Sequence, residues 1–206
     1  MTLNSNTRTI SLPVQKKANT AVRLSPAGLS VGTPIMTSSG ERFVEDLKSG
    51  DRVLTKDLGI QTVKCIAFRD VDLTSAPHKS PIHIPAGIFG IDRPARDLYL
   101  APNQRIALRH QMFDVLFSAR EVLVSAKDLL GVGEVRQIQG LRAVTYVSLG
   151  FLQSHLLYCG NLAVDLGPNN STTSRPALSA EEARLACSLM RPQVIKAEHS
   201  AGFPLH

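Results

Sequence analysis

The sequence predicts an all-β domain followed by one short helix. Between residues 28 and 168, short runs of strand-forming residues alternate with turns that contain glycine, at intervals of about 8–12 residues. This spacing is typical of antiparallel β-domains. Near the C-terminus the pattern changes, because Ser179 is followed three residues later by Glu182, which is the signature of a helix start.

The first elements are predicted from the phrase GERFVEDLKSGDRVLT, residues 40–55. Ser39-Gly40 is expected to form a hairpin turn. Val44 and Leu47 are expected to face inward around a single helical turn, before a strand at Arg52–Thr55. A Gly/Pro loop is predicted at 87–96, and the later strands are predicted at 82–84, 98–100, 105–108, 145–151 and 155–158.

The phrase EVLVSAKDLLGVGEVRQI repeats the logic of the first phrase. Asp128-Leu129 follows Asp46-Leu47 after 82 positions, and the apolar residues on either side are similar in kind. We interpret this as a weak internal repeat, which is typical of a domain with two related halves.

The chain divides into three regions by composition. Residues 1–27 form a basic leader that is expected to be flexible, residues 28–168 form the β-domain, and residues 169–206 contain a linker, the helix at about 179–190 and a tail. Leu178, Leu185 and Leu189 are expected to form the apolar stripe of that helix.

The formal net charge of +6 does not indicate a nucleic-acid partner, because it is unevenly placed. Residues 1–27 carry four basic and no acidic side chains, whereas residues 28–168 carry 15 basic and 14 acidic ones. The body of the protein is therefore nearly neutral. We expect a protein partner, still unidentified, and no nucleic acid.

The apolar and cysteine content excludes several other classes. No run of about 18 apolar residues is present, so we expect no membrane partner, and the N-terminus lacks the apolar core of a signal peptide, which favours the cytoplasm. Cys65, Cys159 and Cys187 form no CxxC pair and are expected to be buried thiols. We therefore expect no metal and no cofactor.

Four phrases in order resemble the Hint domain, the Hedgehog/intein autoprocessing fold, and in particular its bacterial Hedgehog/intein-type branch. They are GTPIMTSSGERFVEDLKSGDRVLT, IHIPAGIFGIDRPARDLYLAPNQRIAL, EVLVSAKDLL and YVSLGFLQSHLLYCGNL, within residues 28–166. The resemblance implies an elongated β-domain with two pseudo-symmetric halves, in agreement with the internal repeat.

The resemblance also implies a chemistry. In the family, a Cys at the first position of the domain attacks the preceding carbonyl and converts the peptide bond to a thioester. A His in a Thr/Ser-x-x-His loop protonates the departing nitrogen. A thiol with a pKa of about 8.5 is a usable nucleophile, and a positioned imidazole contributes about 10²–10⁴-fold.

This chain departs from that pattern. The family's opening aligns with residues 28–33 and its loop with residues 101–104, so glycine stands at the nucleophile position and an amide at the histidine position. Ser30 lies two positions too far along the chain to attack the same peptide bond. A serine and a glutamine occupy two further positions where the branch often has His and an acid. The family-equivalent positions are Gly28, Ala101, Gln104, Ser148, Gln153 and His155.

Each of these positions also has a structural interpretation. Gly28 can be a linker glycine, although no Cys precedes Cys65. Gln104 is expected to satisfy a partly buried loop, and His155 to be a structural histidine in a strand. His83 is expected on an exposed face between two isoleucines, and Cys159 is expected to be a packed thiol.

Three functions remain in view. The expected one is a Hint-domain protein without autoproteolysis that acts as an interaction or structural module. The first alternative is a self-processing domain that cleaves at its N-terminal junction by an atypical route. The second is an adaptor whose tails carry the function. The two missing catalytic groups favour the expected function, a protein without autoproteolysis, since each loss costs several powers of ten in the cleavage rate.

Overall fold

Strand-forming runs separated by glycine turns produce two antiparallel sheets. The computed structural model describes residues 27–167 and 175–190, and these contain fourteen strands and two α-helices. The helices are α1 (Phe113–Phe117) and α2 (Ala180–Leu189). The strands are β1 (Leu29–Ser30), β2 (Pro34–Thr37), β3 (Gly40–Phe43), β4 (Arg52–Thr55), β5 (Gly59–Thr62), β6 (Cys65–Asp72), β7 (Ile82–Ile84), β8 (Leu98–Leu100), β9 (Arg105–Arg109), β10 (Glu121–Ser125), β11 (Arg136–Gln137), β12 (Ala143–Gly150), β13 (Leu156–Cys159) and β14 (Leu162–Asp165).

The order of the strands places the start of the domain inside a sheet. In the first sheet the order is β11-β7-β8-β1-β12-β6. In the second it is β10-β9-β14-β13-β2-β4-β5, with β3 paired to β2. Leu29 in β1 lies opposite Leu100 of β8 and Val147 of β12. The chain therefore enters the domain between two strands.

The apolar faces of both sheets meet in one main core. Leu29 and Val147 from the first sheet, and Ile35, Leu157 and Val164 from the second, are fully buried in it. Burying apolar area is the main favourable term in folding, so this core holds the two sheets together. The all-β prediction is confirmed.

The two repeated phrases form similar local structures. Val44–Asp46 follows β3 as a short 3₁₀ helix, and Ala126–Leu129 follows β10 as another. Val44 and Leu47 are buried as predicted, and so is Leu129. Each half therefore uses one tight helical turn to place apolar side chains in the core.

The C-terminal segment, residues 175–190, is attached to the domain at its start. The backbone N–H of Leu123 donates to Pro176 O at 2.8 Å, and that of Leu178 donates to Leu123 O at 2.9 Å. Arg175 contacts both Glu121 and Asp57, and Lys56 also contacts Glu121. The segment thus covers the outer edge of β10.

Helix α2 begins with the predicted capping box. The N–H of Glu182 donates to Ser179 Oγ at 3.3 Å, and the N–H of Ser179 donates to Glu182 Oε2 at 2.8 Å. The predicted apolar stripe was wrong at Leu185, which is exposed, because the helix approaches the core through small residues. The buried residues of α2 are Ala183, Ala186 and Cys187.

Three further expectations need correction. His83 is buried, not exposed, and its Nε2 lies 2.7 Å from Asp97 Oδ2, because β7 is covered on both faces. Cys65 is partly exposed, whereas Cys159 and Cys187 are buried. Helix α1 was not predicted. Neither helix within the described ranges has the length and hydropathy that crossing a bilayer requires.

Candidate functional site

The junction between Ala27 and Gly28 is held by hydrogen bonds on both sides. Ser148 Oγ donates to the carbonyl oxygen of Ala27 at 2.9 Å. The backbone N–H of Ala101 donates to the carbonyl oxygen of Gly28 at 3.1 Å. Three of the predicted family-equivalent positions, Gly28, Ala101 and Ser148, therefore meet at two successive peptide bonds, Ala27–Gly28 and Gly28–Leu29.

Gly28 lies where a side chain does not fit. A Cβ atom built on Gly28 would lie 2.9 Å from Tyr146 Cβ and 3.4 Å from Val147 O. Tyr146 is held in place, because its hydroxyl donates to Lys79 O at 2.7 Å and its side chain is buried. Carbon atoms in contact normally stay about 3.5–4.0 Å apart, so any larger residue at position 28 requires the strand to move.

The loop at residues 101–104 is a closed turn. The N–H of Gln104 donates to Ala101 O at 2.8 Å, and the loop is fixed from the other side by Ala126 N–H, which donates to Gln104 O at 2.8 Å. Backbone hydrogen bonds thus close the loop and join it to Ala126.

The Gln104 side chain points towards the end of β14. It is fully buried, and its Nε2 donates to Asp165 O at 2.6 Å and to Arg105 O at 3.2 Å. Its Oε1 is buried and accepts no hydrogen bond from the described residues. An amide in this position binds backbone carbonyls and cannot transfer a proton at ordinary pH.

Asp165 is a buried acid that the sequence analysis missed. Its Oδ2 lies 2.6 Å from an Arg105 guanidinium nitrogen, and its Oδ1 accepts from Gly167 N–H at 2.8 Å. Burial raises the pKa of Asp165, while the Gly167 hydrogen bond and Arg105 oppose that rise. A single acid within the apolar run LAVDL is the signal that could have identified it.

His155 and Gln153 line a different cleft from the one at the junction. This small cleft of about 230 Å³ is also lined by Gln61, Lys64 and Phe151. The imidazole of His155 packs edge-on against Phe151, with ring centroids 5.2 Å apart. Burial lowers the pKa of His155, and the Asp57 carboxylate opposes that shift.

The larger cleft opens beside the junction. Its volume is about 610 Å³, and its walls include Ala27, Tyr146 and residues 101–103 of the loop. In the described part of the chain, no three His, Cys, Asp or Glu side chains are grouped so that they could hold a metal ion. The site therefore consists of the Ala27–Gly28 peptide bond, the Ser148 hydroxyl that donates to it, the larger cleft beside it and the buried amide of Gln104.

These features define an all-β domain built around its own N-terminal junction. A model of the Hint domain matches residues 27–165, and the chain belongs to the Hint domain family. No curated protein matches the chain.

The solved structures that match include inteins and an intein-like domain. The bacterial intein-like domain from Clostridium thermocellum is 14% identical, with a TM-score of 0.45, over 69% of this chain and 100% of that one. A splice-inactive variant of the AceL NrdHF class 3 split intein is 17% identical, with a TM-score of 0.41, over 68% and 97%. The gp41-1 intein is 11% identical, with a TM-score of 0.41, over 68% and 98%.

Proposed function

We propose that this chain is a Hint-domain protein that does not cleave itself and acts as an interaction or structural module. The observation that carries the proposal is the space at Gly28, where even a Cβ atom would lie 2.9 Å from Tyr146 Cβ. A nucleophilic side chain at this position needs both a reactive atom and room for it, and neither is present.

The buried amide at Gln104 supports the same conclusion. Its Nε2 is used in the hydrogen bond to Asp165 O, so it is directed at the protein interior. Release of an amide nitrogen requires a proton donor, and a positioned acid contributes about 10²–10⁴-fold to such steps. As part of this proposal the partner is a protein in the cytoplasm and is neither a nucleic acid nor a membrane. The nearly neutral body at residues 28–168 supports the absence of a nucleic acid.

The test is the intact mass of the purified full-length protein after long incubation. We expect a single unchanged mass, with or without dithiothreitol or hydroxylamine, because no thioester forms. A new pair of masses that correspond to cleavage between residues 27 and 28 would overturn the proposal.

One observation favours a second candidate, cleavage by an atypical route. The Ser148 hydroxyl polarises the Ala27 carbonyl, as a single oxyanion donor does, and removal of such a donor costs about 10²–10³-fold in rate. If slow cleavage occurs, Ser148→Ala should suppress it. Ser39→Ala, which removes an exposed serine hydroxyl in the turn between β2 and β3, serves as the matched control and should leave the rate unchanged.

A further inference from the structure

The junction cleft is lined by cations from three separate elements. Arg69 lies in β6, Lys79 in the 3₁₀ turn Pro77–Lys79, and Lys127 in the 3₁₀ turn Ala126–Leu129. We propose that this cleft binds an acidic, extended peptide segment of a partner protein. The inference rests on the proposed function, since it names the partner of the interaction module.

The two acidic side chains of the cleft are engaged in local hydrogen bonds. Asp70 Oδ1 accepts from Thr145 Oγ1 at 2.5 Å. Asp72 Oδ1 accepts from Thr74 N–H at 2.9 Å and from Thr74 Oγ1 at 2.6 Å. These bonds fix the carboxylates on their own neighbours but leave them charged, so the three cations exceed the two acids by one positive charge.

Two of the cations remain available to a ligand. Among the described residues, Lys79 and Lys127 form no ion pair. Both side chains are exposed at the wall of the cleft, whereas Lys56, outside the cleft, is paired with Glu121. Carboxylates of a bound segment would gain charge-assisted contacts with these two lysines.

The position of the cleft at a strand edge favours an extended peptide. Successive residues of a strand point to opposite faces of the sheet. Four consecutive residues of β6, 69 to 72, line the cleft, so the cleft lies along the edge of this strand and not on one face. Within the described chain, β6 is the last strand of its sheet and pairs only with β12. An edge strand offers free backbone donors and acceptors to an added strand.

Charge distinguishes this partner from the two other candidates. The leader that precedes Ala27 carries Arg8, Lys16, Lys17 and Arg23 without an acid, and like charges oppose its entry into a cationic cleft. A nucleic acid would meet a nearly neutral body at residues 28–168, which provides little of the long-range field that phosphate binding uses.

The experiment measures binding to the full-length protein by fluorescence anisotropy at about 0.15 M salt. The probe is a labelled peptide as long as β6, eight residues, in which Glu and Thr alternate. We expect saturable binding of this probe, with much weaker binding of the Gln-Thr and Lys-Thr peptides. Neither inorganic phosphate nor an oligothymidylate should compete effectively.

Matched variants locate the binding. The double change Lys79→Glu and Lys127→Glu should weaken binding of the Glu-Thr peptide about tenfold or more, because two attractions become repulsions. Lys48→Glu with Lys64→Glu makes the same change in net charge on exposed lysines outside the cleft, and should have little effect. Equal thermal unfolding of both variants checks that they are folded.

Several results would overturn the inference. If the cleft variant binds the Glu-Thr peptide as well as the parent does, the peptide binds to the leader or responds to overall charge. Equal binding of the Gln-Thr peptide would show that the carboxylates do not matter. Stronger binding of phosphate or oligothymidylate would show that the ligand is not a peptide. The intact mass of the same samples separates this test from the previous one. Cleavage of the protein would overturn the proposed function, whereas uncleaved protein that does not bind the peptide would overturn only the assignment of the cleft as a peptide-binding site.

Discussion

Gly28 occupies the position that is predicted to align with the family's nucleophile, and an added Cβ there would lie 2.9 Å from Tyr146 Cβ. Its carbonyl accepts from Ala101 N–H, and its Cα faces the buried Tyr146 side chain. Any substitution there is therefore first a packing change, before it is a chemical one.

We expect Gly28→Ala to lower the free energy of unfolding by about 1–3 kcal/mol, the usual cost of overpacking. The added Cβ meets Tyr146 Cβ, which is not the free end of a flexible side chain, so the backbone must shift. Urea denaturation of both proteins measures the difference. A variant as stable as the parent would show that β1 moves freely.

Restoring the family's two groups should restore some chemistry. For a reporter fused ahead of residue 28, Gly28→Cys with Gln104→His should release the reporter in a thiol-dependent way, and faster than Gly28→Cys alone by up to about 10²–10⁴-fold. The release should be slow, because the Cβ at position 28 displaces Tyr146 and the substitution at position 104 removes the amide that binds Asp165 O. Equal release by the two variants would show that position 104 is not where the proton donor acts.

His155 should make stability depend on pH. Because burial lowers its pKa below the ordinary value of about 6.5, the unfolded chain takes up a proton on this ring at a higher pH than the folded chain. The free energy of unfolding should therefore fall as the pH decreases below about 6.5. His155→Gln should reduce that fall, whereas His78→Gln, which removes an exposed histidine, should not.

Denaturation of the three proteins at about pH 7.5 and about pH 5.5 provides the comparison. The same loss of stability in His155→Gln as in the parent would assign the pH dependence to groups other than His155, and the buried Asp165 is not one of them. Its raised pKa acts in the opposite direction, because an acid that is protonated more readily in the folded state favours folding at low pH.

At the scale of elements, helix α2 depends on small residues. Ala183 is fully buried at the contact with the domain, whereas Ala180 is exposed in the first turn. We expect Ala183→Gln to release the C-terminal segment at a cost of about 1–3 kcal/mol, since a longer polar side chain cannot be buried there. Ala180→Gln is the matched control and should have little effect.

Limited proteolysis detects the release. In the Ala183→Gln protein, cleavage within α2 should be faster than in the parent, while the β-domain remains resistant. Equal protection in both alanine variants would mean that Arg175 and the backbone bonds to Leu123 are enough to hold the segment.

The elements that sequence could predict are those with local signals. Strands β4, β7 and β8 have the predicted bounds, because each is a short apolar run next to a turn. Helix α1 has no side-chain cap and only five residues, so it leaves no signature. His83 was misplaced because alternation predicts an exposed face only when one side of the strand meets water.

At the scale of the whole molecule, the limits of sequence reasoning are set by distance along the chain. The bond from Ser148 to Ala27 joins residues 121 positions apart, and the bond from Gln104 to Asp165 joins residues 61 apart. The phrases could indicate the family and name Gly28, Gln104 and His155. They could not show that His155 lines a cleft separate from the one at the junction, or that the backbone carbonyl of Asp165 accepts a hydrogen bond from the Gln104 side chain.

The domain boundaries stay a prediction, and truncation tests them. A fragment of residues 27–190 contains all the described elements and should unfold at nearly the temperature of the full chain. A fragment ending at residue 174 lacks Arg175 and α2, and should unfold at a lower temperature because Glu121 and the core face of Ala126–Leu129 lose their cover. Equal melting of the two fragments would remove the C-terminal segment from the folded unit.

The position of β1 also determines how the domain responds to mechanical force. Because this two-residue strand lies between β8 and β12, tension applied to whatever precedes Ala27 passes directly into the middle of a sheet. The Ser148 and Ala101 hydrogen bonds take the first part of that tension, ahead of the ladder itself. An uncleaved chain is thus anchored at an interior strand, where detachment requires two neighbours to separate together.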